Sequence, residues 1–199
     1  MLSAEEFNET EVEELLDKLN VSKANGPSLF SPKLLKLAAP GITPSMTKLF
    51  STSVYLRSWP KAWKSGEWVP VYKKGNKSDV KNYRPVTVLD SVGKVFEQSI
   101  CKQIGQHYDT VLSPYSTAHR NTHSCETTMI RLVEDWKLSL DWNLSVGILS
   151  TDLSKAYDCS QHTLVLRKLQ AYGFDYMAIH ILRSYFKERL NRVRLGWFG

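Results

Sequence analysis

Leu144-Ser145-Val146-Gly147-Ile148-Leu149-Ser150-Thr151-Asp152-Leu153-Ser154-Lys155-Ala156-Tyr157-Asp158 decides how this chain is read. An apolar run ending on a carboxylate and passing into a polar turn predicts a buried strand with an aspartate at its carboxyl end. A strand fixes such a carboxylate, and the turn after it exposes backbone carbonyls, so Asp152 can hold a metal ion. The same position suits a phosphoryl-transfer carboxylate, or a plain turn or helix-cap residue, with a cap on Asp158 worth about 1 kcal/mol. Position alone leaves these readings open. Downstream, helices are expected from about Thr163 to Tyr172 and from Tyr176 to Leu190. Arg192-Val193-Arg194-Leu195 then alternates like the start of a strand.

Upstream, helices are expected from Ser124 to about Leu140 and from Val92 to about His107, on stripes such as Met129, Leu132, Val133, Trp136 and Val95, Phe96, Ile100, Ile104. Before them, Glu67-Trp68-Val69-Pro70-Val71-Tyr72 reads as a strand whose proline suits a sheet edge. The polar loop from Lys73 to Asp79 leads to a second strand, Pro85 to Leu89, making a basic, hairpin-like flap. Lys73, Lys74 and Arg84 there suit a triphosphate, with arginine offering a fork and lysine a point charge. An exposed basic loop that keeps an edge strand soluble would look the same. The amino-terminal third is helical. Thr10 and Glu13 form a capping box ahead of Val12, Leu15, Leu16 and Leu19, and Ser31-Pro32 and Thr43-Pro44 each read as a cap followed by proline at a first helical position.

The 199 residues are 42% hydrophobic and 23% charged, a globular composition that excludes wholesale disorder. No uncharged stretch approaches the roughly 20 residues that cross a bilayer, and the amino terminus lacks the basic start and apolar run of a secretory leader. An intracellular protein is expected. Cys101, Cys125 and Cys159, an odd count without a CxxC pair, give neither a disulfide framework nor a zinc module. The net charge of +6 is unevenly spread: residues 1–20 hold seven acids against Lys18, a local balance of −6, and the rest carries +12. The excess concentrates from Lys61 to Arg84, seven cations against Glu67 and Asp79, and from Arg183 to Arg194, five against Glu188. Such a body suits a phosphate-rich partner.

In order and spacing, six stretches resemble one family. Val69-Pro70-Val71-Tyr72-Lys73-Lys74-Gly75, Asn82-Tyr83-Arg84-Pro85-Val86-Thr87 and Gly93-Lys94-Val95-Phe96-Glu97 look like the fingers of reverse transcriptases from non-LTR (LINE-type) retrotransposons. Leu149 to Asp158 is similar to their first palm motif. Lys23-Ala24-Asn25-Gly26-Pro27 resembles a short motif ahead of the polymerase proper, and His119-Arg120 through Ser124-Cys125 the segment before the palm. The resemblance implies an α+β fold, part of a right-hand polymerase, with a helical amino-terminal extension over 1–60, fingers over 61–143 and the first part of the palm over 144–199. It implies an RNA template and a DNA primer, deoxynucleoside triphosphates, two Mg2+ ions in the complete domain, no membrane partner, and a place in cytoplasm and nucleus. By it, Asp152 is the first catalytic carboxylate and a metal ligand, joined by the backbone carbonyl of Leu153. Lys73 and Arg84 hold the triphosphate, with Lys74 as neighbour, and Tyr157 lies under the sugar of the incoming nucleotide, where a ring excludes a 2′ hydroxyl.

The chain also departs from the family pattern. Gly26-Pro27 runs into Ser28-Leu29 where Asp-Gly is usual, and residues 118–123 are poorer in glycine and basic residues than expected. No Asp-Asp dipeptide occurs anywhere, although two-metal polymerases carry further carboxylates on a later hairpin. One aspartate does not hold two magnesium ions against water, so these residues alone are expected not to polymerise. The rival readings are a truncated, inactive nucleic-acid-binding remnant and an unrelated magnesium-dependent phosphotransferase built on Asp152.

Overall fold

The structure is a computed structural model that describes residues 7–28, 30–118, 120, 122–152 and 159–194. It is a mixed helix and sheet architecture. In chain order come α1 (Glu9–Asp17), α2 (Pro32–Tyr55), β1 (Ser65–Tyr72), β2 (Tyr83–Leu89), α3 (Ser91–Val111), α4 (Cys125–Asp141), α5 (His162–Ala171), α6 (Tyr176–Phe186) and β3 (Leu190–Val193). Two compact units result, residues 1–105 with 162–199, and residues 106–161.

The core of the first unit is built on rings. Phe96 of α3 is fully buried and packs against Phe50 of α2 at 4.9 Å, Trp59 at 4.5 Å and Trp63 at 5.4 Å between ring centroids. Val12 and Leu16 of α1, Leu35, Ala39 and Met46 of α2, and Ile181 of α6 complete it. Tight aromatic packing of this kind adds about 0.5–1.5 kcal/mol per pair beyond burial itself.

Two expected helices merge into α2, which runs through Pro40 and Pro44. An interior proline costs about 3 kcal/mol. For the two prolines together that is about 6 kcal/mol, which burying Leu35, Met46, Phe50 and Val54 along one face, at roughly 1.5–3 kcal/mol each, offsets. Ser31 caps as expected, its Oγ accepting from the Leu34 N–H at 3.1 Å. Thr43 does not cap; its hydroxyl donates back to the Ala39 carbonyl at 2.7 Å, as helix-interior threonines do. The cap of α1 is Asn8 rather than Thr10, with Oδ1 accepting from the Glu11 N–H at 2.7 Å.

The three strands form one sheet in the order β2-β1-β3. β1 and β2 are antiparallel, with Val71 opposite Arg84 and Tyr72 opposite Tyr83. β3 lies parallel to β1, pairing Ser65 with Leu190 through Trp68 with Val193. The two basic segments singled out from the sequence thus share a sheet. β3 covers β1 only as far as Trp68, so Pro70, lacking an N–H, falls where that side of β1 is an edge. Helix α6 ends at Phe186, short of the expected Leu190, because Glu188 takes a left-handed backbone (φ 58°) that turns the chain into β3.

In the second unit, Ser124 and Thr127 cap α4 reciprocally, at 3.2 and 2.9 Å. The strand expected over 144–152 does not form. Those residues have no regular structure, and Leu144, Ile148 and Leu149 are exposed, Leu149 to 90%. No strand among the described residues pairs with this run, so its backbone lacks the ladder that would hold it extended.

Candidate nucleotide-gripping flap

The flap is held by its backbone and its tyrosines. Beyond the last ladder pair, the Lys73 N–H donates to the Asn82 carbonyl at 2.8 Å, extending the hairpin by one residue. Gly75 turns the chain with φ +92°, which favours glycine, and the Asn82 amide donates to the Asn76 carbonyl at 2.8 Å across the loop. Tyr72 Oη donates to the Gly75 carbonyl at 2.5 Å and Tyr83 Oη to the Lys77 carbonyl at 2.9 Å. The two rings meet edge to face, 5.7 Å apart, with the Lys77 ammonium 5.7 Å from the Tyr72 ring.

Register then sorts the cations. Opposed residues share a face of a sheet and alternate residues along a strand return to it. Arg84 opposes Val71, and Lys73 follows Val71 by two, so Arg84 and Lys73 stand on one face. Lys74 lies past the strand, in the bend that leads to Gly75. Both site lysines and Arg84 are exposed, and none has a carboxylate within ion-pair distance among the described residues.

The base of the flap is rigid. Asp90 is buried and its Oδ1 accepts from the N–H groups of Val92 and Gly93 at 2.9 and 3.2 Å, capping α3 where β2 ends. Gly26 rests against the same junction: a Cβ there would lie 2.2 Å from the Leu89 carbonyl oxygen and 2.7 Å from the Asp90 nitrogen. A Cβ added at Gly93 would likewise lie 2.8 Å from the Trp63 Cβ. Lys94 is half-buried; desolvation lowers its pKa, Lys23 adds to this, and Asp90 and Glu97 oppose it. Glu97 accepts a hydrogen bond from Tyr185 Oη of α6, and the Arg189 guanidinium lies 4.3 Å from that ring. Burial, then this bond, push the Tyr185 hydroxyl well above the usual tyrosine range. Sequence reasoning missed Tyr185 and Arg189, whose partners lie about ninety residues away or across a helix end, with no local signal.

The other expected site residues sit elsewhere in the chain. Asp152 is exposed, on the irregular run of the second unit. Leu153 and Tyr157 lie outside the described residues. No group of three or more histidine, cysteine, aspartate or glutamate side chains that could hold a metal occurs among the described residues. Asp152 alone therefore does not fit a pair of Mg2+ ions, which take near-octahedral oxygen shells. The three cysteines are free and exposed.

No protein-family model matches the chain. Among curated proteins it is 26% identical, over 192 residues, to the RNA-directed DNA polymerase from mobile element jockey of Drosophila melanogaster. That match covers 94% of this chain and 21% of the relative. It is 27% identical over the same span to the probable RNA-directed DNA polymerase from transposon X-element of Drosophila melanogaster, with 94% of this chain and 21% of the relative covered. Over most of its length the chain is thus similar to proteins named RNA-directed DNA polymerases of mobile elements. A second jockey polymerase, from Drosophila funebris, is 25% identical over 85% of the chain and 19% of its own length. The chain spans about a fifth of the length of these relatives. None of its described helices is long and apolar enough to cross a membrane.

Proposed function

We propose that the chain is the amino-terminal part of an RNA-directed DNA polymerase, contributing the fingers over 61–143 and the beginning of a right-hand palm over 144–199, behind a helical extension. Its matches across 94% of the chain to proteins named RNA-directed DNA polymerases carry this reading. RNA template, DNA primer and deoxynucleoside triphosphates are the partners. Lys73 and Arg84 grip the triphosphate from one face of the flap, a point charge beside a bidentate fork. Asp152 supplies one carboxylate of the catalytic set, the Leu153 carbonyl adjoins it, and Tyr157 lies beneath the sugar of the incoming nucleotide.

Divalent metal, Mg2+ by the resemblance, would supply the Lewis acid of the complete enzyme, and among the described residues no further carboxylates gather with Asp152 to hold it. The purified 199 residues should therefore extend no primer on an RNA template with magnesium and all four deoxynucleotides. Extension that disappears in Asp152→Ala would show that the chain is catalytically sufficient and would overturn that part of the reading.

A further inference from the structure

The basic segment from Arg183 to Arg194 is divided by the fold. Its second half joins the flap sheet, whereas Arg183 and Lys187 line a cleft of about 440 Å3 between α5 and α6. Arg167 of α5 is the third cation there, and buried Leu166 and Ile179 form an apolar floor. At one side the His162 ring stacks on Phe186, 4.6 Å apart and 14° from parallel. A second cleft of about 270 Å3 adjoins the first and shares Gln170, Ile179 and Arg183 with it. It holds another ring pair, Tyr176 and His180 at 4.0 Å, and the Arg57 guanidinium stands 5.2 Å from the Tyr176 ring.

Arg183 thus stands between two aromatic steps. Lys187 meets Glu188 at 3.4 Å, but neither Arg167 nor Arg183 has a carboxylate within ion-pair distance among the described residues. Asp175, the acid lining the second cleft, is occupied in capping α6 through the Ala178 N–H at 2.8 Å. Alternating rings and unneutralised guanidiniums along an apolar-floored groove match an unpaired nucleic-acid strand, with bases on rings and phosphates on arginines. A duplex hides its base faces in its own stack and would leave the rings unused. The first cleft lies within the roughly 300–1,000 Å3 of small-ligand pockets, room for a nucleotide.

We propose that the α5–α6 surface is a single-stranded nucleic-acid track, distinct from the flap, that takes two successive nucleotides about a phosphate on Arg183. It rests on the reading of the chain as part of a nucleic-acid polymerase and adds a surface that reading does not use.

The test is fluorescence anisotropy of the whole chain with a labelled single-stranded oligonucleotide and an abasic strand of equal length, across a salt series. Arg167→Gln with Arg183→Gln should weaken binding to both strands about tenfold and flatten the log–log salt slope by about 1.4, two phosphates at about 0.7 each. Arg183→Lys should restore part of the loss. His162→Ala with Tyr176→Ala should weaken the base-bearing strand about tenfold and leave the abasic strand unchanged. All four residues are exposed, and unchanged thermal melting confirms folding. Wild-type affinity and slope in the arginine pair, while Arg84→Ala weakens binding, would overturn the track and leave the flap standing. Equal loss on both strands in the ring pair would overturn the stacking. Absence of any binding by the wild-type chain would overturn the track and the nucleic-acid part of the proposed function together.

Discussion

Gly26→Ala tests whether the segment from Lys23 to Pro27 serves as a structural clamp at the base of the flap. The added methyl would lie 2.2 Å from the Leu89 carbonyl oxygen, 2.5 Å from its carbon and 2.7 Å from the Asp90 nitrogen. Ordinary carbon contacts begin near 3.5 Å, so the overlap with these three backbone atoms runs from about 0.8 to about 1.3 Å. These atoms cannot step aside as a side chain would, because Leu89 ends a paired strand and Asp90 caps α3. Overpacking costs about 1–3 kcal/mol, and this site belongs at the upper end. Gly41 is the control. It lies inside α2 with nothing within 4 Å of an added Cβ, so Gly41→Ala should stabilise by about 0.5–1 kcal/mol through helix propensity. Urea unfolding of both variants should place their midpoints on opposite sides of wild type with similar slopes. A Gly26→Ala protein within about 0.5 kcal/mol of wild type would refute the clamp, since effects that small are typical of surface positions.

Tyr185→Phe leaves Glu97 without the hydroxyl that donates to it and should cost about 1–3 kcal/mol at neutral pH. Because the folded chain holds that hydroxyl protonated above its ordinary pKa, wild-type stability should fall as pH rises past about 10, by at most about 1.4 kcal/mol per unit from this group. In denaturant titrations at pH 9 to 11 the phenylalanine variant should show a flatter decline; an identical slope would contradict the assignment. On the flap, Arg84→Ala and Lys73→Ala should each weaken nucleic-acid binding and reduce the salt slope by roughly 0.7 to 0.9, read by filter binding at several salt concentrations, with Lys74→Ala changing triphosphate competition less than Lys73→Ala. Unaltered slopes for both variants would remove the flap from the contact surface.

Much of the fold was legible because local chemistry and tertiary packing agree. The apolar stripe on α3, the Ser31-Pro32 start and the flap strands all carry short-range signals that the structure keeps. The prolines in α2 misled because a chain-local penalty of a few kcal/mol was outweighed by burial of a face that only the folded core reveals. Residues 144–152 misled for the opposite reason. Their apolar run has strand character, but a strand exists only with a partner, and none among the described residues supplies it. At the candidate site, residue types pointed to Lys73 and Arg84, while only the paired backbone shows that the two share a face of the hairpin. The charge of the Arg183–Arg194 segment was visible in the sequence, but its partnership with Arg167 and the rings of His162 and Tyr176 was not, because only the packing of α5 on α6 brings them to one surface.

The central claim, that this chain contributes working fingers and the first carboxylate of a reverse transcriptase, is met most directly by a chimaera. Residues 12–194 would replace the matching segment of the jockey RNA-directed DNA polymerase of Drosophila melanogaster, and RNA-templated primer extension would be measured. The expected result is extension that vanishes in Asp152→Ala and weakens, through a higher nucleotide KM, in Arg84→Ala. A folded chimaera that binds template yet extends no primer, or one whose extension survives Asp152→Ala, would contradict it.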